Sequence, residues 1–502
     1  MFKTRIILLE FNELCPSLIH RFMSAGQLPA FQRLHDESLV YTTRAQERAP
    51  YLDPWIQWLT VHTGLNYRQH QVDKLNEGHT CDASRIWDVV SEHGGTAWIC
   101  GSMSTSYSRA FRGALIPDPW TTKVAPTPQS LRPYFKFVQS SVLDSTSGQA
   151  SMSAGDAARF VAFMAGHGLS PRTAAAIGRQ VLAERRGRER WKRAVVLDQL
   201  QFDLFRHYWK QARPTFSTLF LNSTAHFQHL HWREMEPHLF QVQPTPPEIE
   251  EYQSAILFGY QKMDALLARV MQMIDSHTTV VLASALSQQP CLNYEHQGGK
   301  AFYRPIRFDR LFTFAGIAGQ TSVAPVMAHQ FHVEFASAEA ASAAADRLRA
   351  LRVDGSAALA VENNQNQLFA WCRLTTGLDP SAPLVSDADG IHRSENFFSI
   401  FFKVEGIKSG MHHPDGLLWI RRPAAEHSRA GEPVALELVA PALLSELGIA
   451  PPLSMRQDPL PPARMQRRAP NRGPRTPDPG PRTPDPGSRI PDHVESSPRM
   501  IA

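Results

Sequence analysis

The chain has 502 residues, 43% of them apolar, and a formal net charge of +5. That length suits two or three domains around a sizeable core, and no apolar run approaches the length of a membrane span. From Met455 onward nine Arg stand against five Asp or Glu, a surplus of four, so the rest of the chain is nearly neutral at +1 and its charge gives no ground for a nucleic-acid-binding core. Five cysteines (Cys15, Cys81, Cys100, Cys291, Cys372) are scattered, odd in number and without C-x-x-C spacing. That pattern points to a reduced, cytoplasmic setting with neither a disulfide framework nor a zinc knuckle.

The N-terminus has an apolar run of only Ile6–Leu9, followed by Glu10, which reads as a first strand (Ile6–Phe11) rather than a signal peptide. A helix is expected at Pro16–Ser24, an amphipathic one at Ala83–His93, and a strand in TAWICG after Gly94-Gly95. Residues 155–212 are rich in Ala, Arg and Leu and read as a helical insertion over one side of a sheet. Strands follow at Phe216–Leu221 and Thr278–Ser284, with a long helical stretch, Pro247–Ile274, between them. Alternation of this kind predicts an α/β fold with a mostly parallel sheet sandwiched by helices. The core is expected over 1–325, with a small α+β insertion at 326–385 and a return to the sheet in 386–454 near GLLWI. The tail repeats GPRTPDP twice and then reads GSRIPDH. So much proline with so little apolar surface predicts disorder over 455–502, either as a solubilising extension or as a basic arm for acidic lipid or a partner.

Four segments carry a family likeness. RIILLEFNELCPSLI is followed by GQLPAFQRL; then come PWIQWLTVHTGLNYRQHQV, FLNSTAHFQHLHW and GMHHPDGLLWI. In order and spacing they resemble the metal motifs of the alkaline phosphatase superfamily, nearest its type I phosphodiesterase/nucleotide pyrophosphatase-like branch. RIWDVVSEHGGTAWICG and GALIPDPW are similar to its connecting pieces. The resemblance covers residues 3–120, 214–310 and 390–450. It implies an alkaline-phosphatase-like core and hydrolysis of a phosphoester or related ester, in which metal ions polarise the phosphoryl oxygens and activate a hydroxyl at a helix start.

Carried over residue by residue, the implied metal set is degenerate. The first Asp falls on Asn12, the Asp-His pair on Ala285 and Leu286, and the Asp of Asp-x-x-x-His on Ala225. The two remaining imidazoles fall on His229 and His412. His226, at i and i+3 with His229, shares its helix face and makes a third possible ligand, so one Zn or other divalent ion is the expected cofactor. Where the nucleophile belongs, PYLDPWIQ offers no Ser, Thr or Cys. Asp53 stands there, before Pro54, as a helix N-cap or as a nucleophile. The strand end LASALSQQP (Leu282–Pro290) keeps Ser287, Gln288 and Gln289 as neutral hydrogen-bonding groups, and Glu295 follows in NYEHQGG. These four suit a polar ligand such as a glycan. Glu10, Glu13 and His296 are candidates by position, with a solvated surface expected for Glu13 and His296. The expected substrate is a small-molecule or glycan ester, and the rival reading is a non-catalytic protein that binds a ligand or partner in the old cleft.

Overall fold

In the computed structural model, which describes residues 2–147, 153–187, 189–326, 329–404, 406–423 and 427–462, the first strand shows how the molecule is layered. Strand β1 (Arg5–Phe11) is buried from Ile6 onward. Its side chains alternate across the sheet: Ile6 and Leu8 pack into one helical layer, and Ile7, Leu9 and Phe11 into the other. A continuous apolar run is what a strand covered on both faces requires.

Along the chain follow β2 (Leu39–Arg44), β3 (Ala97–Cys100), β4 (Gly113–Ile116), β5 (Phe216–Leu221), β6 (Thr278–Ser284), β7 (Ser287–Pro290), β8 (Gly410–His413) and β9 (Asp415–Arg421). The main sheet has nine strands, in the order β2-β9-β6-β1-β5-β3-β4, with Ser428–Arg429 and Val434–Ala435 both pairing with β2. β1 lies parallel to both β5 and β6, with Leu9 opposite Leu219 and Leu282. Among the described residues only β9 runs against its neighbours in this sheet. The expected mostly parallel α/β sheet is therefore present, and the ends of β1, β5 and β6 share one edge.

Helices cover both faces. The 155–212 region forms helices at Ala154–Gly166, Pro171–Arg185 and Ala194–Ala212. The amphipathic helix expected from Ala83 begins only at Ile86, because buried Arg85 donates to the carbonyls of Gly78, Cys81 and Ala83 and fixes the preceding chain as a loop. The long helical stretch expected over Pro247–Ile274 is formed by two helices, Pro246–Tyr252 and Ala255–Met273. The first starts with Thr245 and Glu248 in a capping box.

A third apolar cluster runs from Ala301 to Phe401 and takes in residues on either side of the expected 326–385 insertion. It is built on an antiparallel sheet of Gln320–Pro325, Gln330–Phe335, Leu359–Asn364 and Gln367–Cys372, with helix Ala338–Arg349 against it. Most of the expected tail, from residue 463 onward, lies outside the described residues. Its start is docked: Met455 is 3% exposed in the same layer as helix Pro54–Thr63, and the Tyr41 hydroxyl donates to Pro461 O at 3.2 Å. All five cysteines are buried and unbridged. Among the described residues no helix is long and apolar enough to cross a membrane.

Candidate metal centre

The site grows out of the end of β1. Even-numbered side chains of this strand face helix Pro54–Thr63, which starts on Asp53-Pro54 and ends on Gly64 at φ 68°. Glu10 accordingly meets His62 on that helix at 2.8 Å, both wholly buried. Asn12, one pleat further, accepts from Trp58 Nε1 at 2.7 Å. Its amide nitrogen donates to Asn222 Oδ1 at 2.8 Å and to Glu13 Oε1 at 3.0 Å. Asn12 therefore ties together β1, the 54–63 helix and the start of helix Ser223–Met235.

Glu13 follows at φ 57°, a backbone conformation uncommon for a residue with a side chain. The turn sends its carboxylate inward, where it is 3% exposed. Oε2 lies 3.0 Å from His229 Nε2 and 3.6 Å from His412 Nε2 and accepts from Gln288 Nε2. Gln228 Nε2 holds the Glu13 main-chain oxygen at 2.7 Å. One ligand atom each from Glu13, His229 and His412 lies within 4.8 Å of the others.

The far nitrogens of both rings are committed. His229 Nδ1 faces Gly410 O at 3.1 Å, and His412 Nδ1 faces Asp53 Oδ1 at 3.2 Å. A carbonyl and an ionised carboxylate only accept, so each Nδ1 carries the hydrogen and each Nε2, when the ring is neutral, turns a lone pair toward Glu13. Three lone pairs converging in a buried site need a cation between them, a proton or a metal ion. Burial opposes charge on Glu13, but the two imidazoles outweigh it and hold its carboxyl well below the usual range. Burial opposes charge on His412 too, yet Glu13 and Asp53 push it up to about 9. His229 is lowered, by burial first. Without a metal, His412 holds the proton.

Two imidazoles and one carboxylate, with both rings oriented by second hydrogen bonds, suit a tetrahedral zinc-type ion with a position left open for a ligand. Among the described residues a second ion has no equivalent set: Ala285 and Leu286 are wholly buried and apolar, and Asn12 spends its amide inside the protein.

His226 lies on the same helix but outside the Glu13–His229–His412 cluster. Asp53 stands at the N-cap, but its side chain makes no cap hydrogen bond and faces His412 instead. Ser287 is buried and pairs across β7–β8 with His413, as Gln288 does with His412. Gln288 donates to Glu13 and to Ala225 O, and Gln289 to His412 O. Glu295 forms a buried ion pair with Arg233 at 2.7 Å and accepts from Val242 N. His296 is exposed. Glu13 is the residue that sequence reasoning placed at the surface. Its signal was position: it directly follows Asn12, where the resemblance places the first metal-binding carboxylate.

Asn12 thus follows β1, Ala285 follows β6, His229 lies on the helix after β5 and His412 on β8. No family model and no curated protein matches the chain. Similar solved structures include a phosphonoacetate hydrolase from Sinorhizobium meliloti 1021 in complex with phosphonoacetate, at 11% identity over 88% of this chain and 94% of that one, with a TM-score of 0.39. Human ectonucleotide pyrophosphatase/phosphodiesterase 5 matches at 10% identity over 91% and 97%, TM-score 0.40. An inactive variant of the murine protein in complex with AMP matches at 11% over 89% and 96%, TM-score 0.38. These likenesses concern the course of the chain and say nothing of activity.

Proposed function

We propose that the chain is a hydrolase-like protein of the alkaline phosphatase type, acting on a phosphoester or related ester beside a single metal ion held by Glu13, His229 and His412. The observation that carries this is the convergence of three ligand atoms whose imidazole partners are already oriented by Gly410 O and Asp53. A bound zinc-type ion would supply Lewis-acid polarisation of an ester oxygen. The protein's own groups do the rest. Gln288 and Asn12 fix the Glu13 carboxylate. Asp53, with its side chain 29% exposed at a helix start, holds the His412 ring. No hydroxyl occupies that position, so a second reading stands beside the first: the cleft binds its ligand without turning it over.

Metal analysis of the full chain purified without chelators, together with zinc titration, tests the site. One ion per chain is expected, lost in Glu13→Gln, His229→Ala and His412→Ala. Two ions per chain, or one retained in all three variants, would refute it. Assays on nitrophenyl phosphate mono- and diesters then separate the readings: turnover lost with the metal supports the enzyme, and stoichiometric metal without turnover supports the binding protein.

A further inference from the structure

Beside the cluster lies a pair of cations that the mechanism above does not use. The segment leading into β8 is stitched to the His229 helix: Ser409 N donates to His229 O at 2.8 Å, and Ser409 Oγ accepts from Trp232 N at 2.9 Å. On its other side Cys291 N donates to Ser409 O at 2.8 Å. Lys408 therefore comes one residue before this junction and four before His412. It forms an antiparallel bridge with Lys300, its main-chain nitrogen donating to Lys300 O at 3.0 Å. Both lysines are half-buried. The Lys300 ammonium sits over the rings of Tyr294 and Phe302, 4.8 and 5.1 Å from their centres.

The carboxylates in this neighbourhood are engaged elsewhere. Glu295 is paired with Arg233, Glu13 with the two imidazoles, and Asp53 with His412. Among the described residues neither lysine ammonium has an ion-pair partner. Burial, with the Lys300 charge adding to it, holds the Lys408 ammonium below the usual lysine range, although Cys291, Asp53 and Glu13 pull the other way. A partly desolvated cation with a like charge beside it is costly unless an anion arrives. The local charge points the same way: Glu13 and Asp53 are balanced by the two lysines, and the proton or metal ion at the histidines leaves the cleft positive.

We infer that Lys300 and Lys408 form a binding subsite for an oxyanion (phosphate, sulfate or carboxylate) alongside the Glu13–His229–His412 cluster. The ligand of this cleft then carries an anionic group besides the one presented to the histidines. This last step rests on the proposed reading of the cluster; the subsite itself does not need a metal.

The test is calorimetric titration of the full chain with inorganic phosphate and with malonate, in the presence of chelator, so that failure of the metal site leaves the result intact. Binding of at least one is expected, and the tighter of the two identifies the group. Lys408→Gln should weaken it at least about tenfold, the loss of one charge-assisted contact. Lys300→Gln with Lys408→Gln should abolish it, and Lys408→Arg should keep it. Unchanged melting temperatures establish that the variants are folded. No binding of either anion by the wild-type chain, or affinity that survives the double substitution, would overturn the inference. Zinc titration of the same variants reads the metal site separately.

Discussion

At the scale of single residues, one buried carboxylate supports the helix that carries His229. Asp198, on helix Ala194–Ala212 and 7% exposed, accepts from Asn222 N and Ser223 N at 3.2 Å each. It therefore caps helix Ser223–Met235 from another element. Burial pushes its carboxyl up to about 6 despite those hydrogen bonds. A carboxyl raised on folding contributes stability that is complete below its unfolded value and is lost as pH rises through the folded one. Asp198→Asn should therefore gain on the wild type between about pH 4 and pH 7, by on the order of 3 kcal/mol for a shift of roughly two units. Denaturant unfolding of both proteins at several pH values measures the difference, and a constant gap would show that the carboxyl is not raised. Neither Asp198 nor Glu13 could be given its role from the sequence, each for its own reason. A cap supplied from a separate helix has no local signature. A side chain at positive φ does not follow the alternation of the strand before it, so a residue that counts as surface in a pattern can turn into the site.

At the scale of elements, the strands were the legible part. Buried parallel strands are rich in apolar and β-branched residues with few charges, and ILLEF, FSTLFL and TTVVLAS announce themselves. Helix Pro54–Thr63 begins at the Asp53-Pro54 pair, which the sequence offered as a helix start, and ends on Gly64. The short ribbon of β7 and β8, which carries His412 opposite Gln288, was not legible. Four residues, GMHH, give no periodicity, and the pairing depends on a close approach that only the folded chain reveals. Gly410 is the point of contact: a Cβ there would run into the main chain of Gln228 and the side chain of Gln288. Gly410→Ala should therefore cost about 1–3 kcal/mol by overpacking and loosen the His229 Nδ1 contact with Gly410 O, lowering zinc affinity at the same time. Gly431→Ala is the control, since nothing lies within 4 Å of a Cβ at that position. Equal stability and equal zinc binding in the two variants would mean that the ribbon is not tightly held against the helix.

At the scale of the whole molecule, composition foretold two bodies of chain with different character, and the structure moves the border between them. The surplus of four positive charges and the proline repeats belong to the C-terminal segment, and sequence reading set its start at Met455. Met455 instead lies in the apolar layer with Trp55, Ile56 and Leu443, and Leu460 packs against the same layer. A single methionine followed by Arg-Gln-Asp-Pro has no pattern to mark it as core; Trp55 and Ile56 in its layer are about 400 residues earlier in the chain. Two truncations follow from this. Ending the chain at 462 removes a segment whose composition offers little apolar surface to bury, and the melting temperature should stay where it is. Ending it at 451 uncovers the floor on which Met455 and Leu460 rest and should lower stability markedly. Met455→Ala in the full chain isolates the contact and should cost about 2–4 kcal/mol, as for other buried methionines cut back to alanine. Thermal and denaturant unfolding of the three proteins decide the matter. A large loss on truncation at 462 would show that the proline-rich segment contributes to the fold, and a neutral Met455→Ala would remove the anchor from residues 455–462.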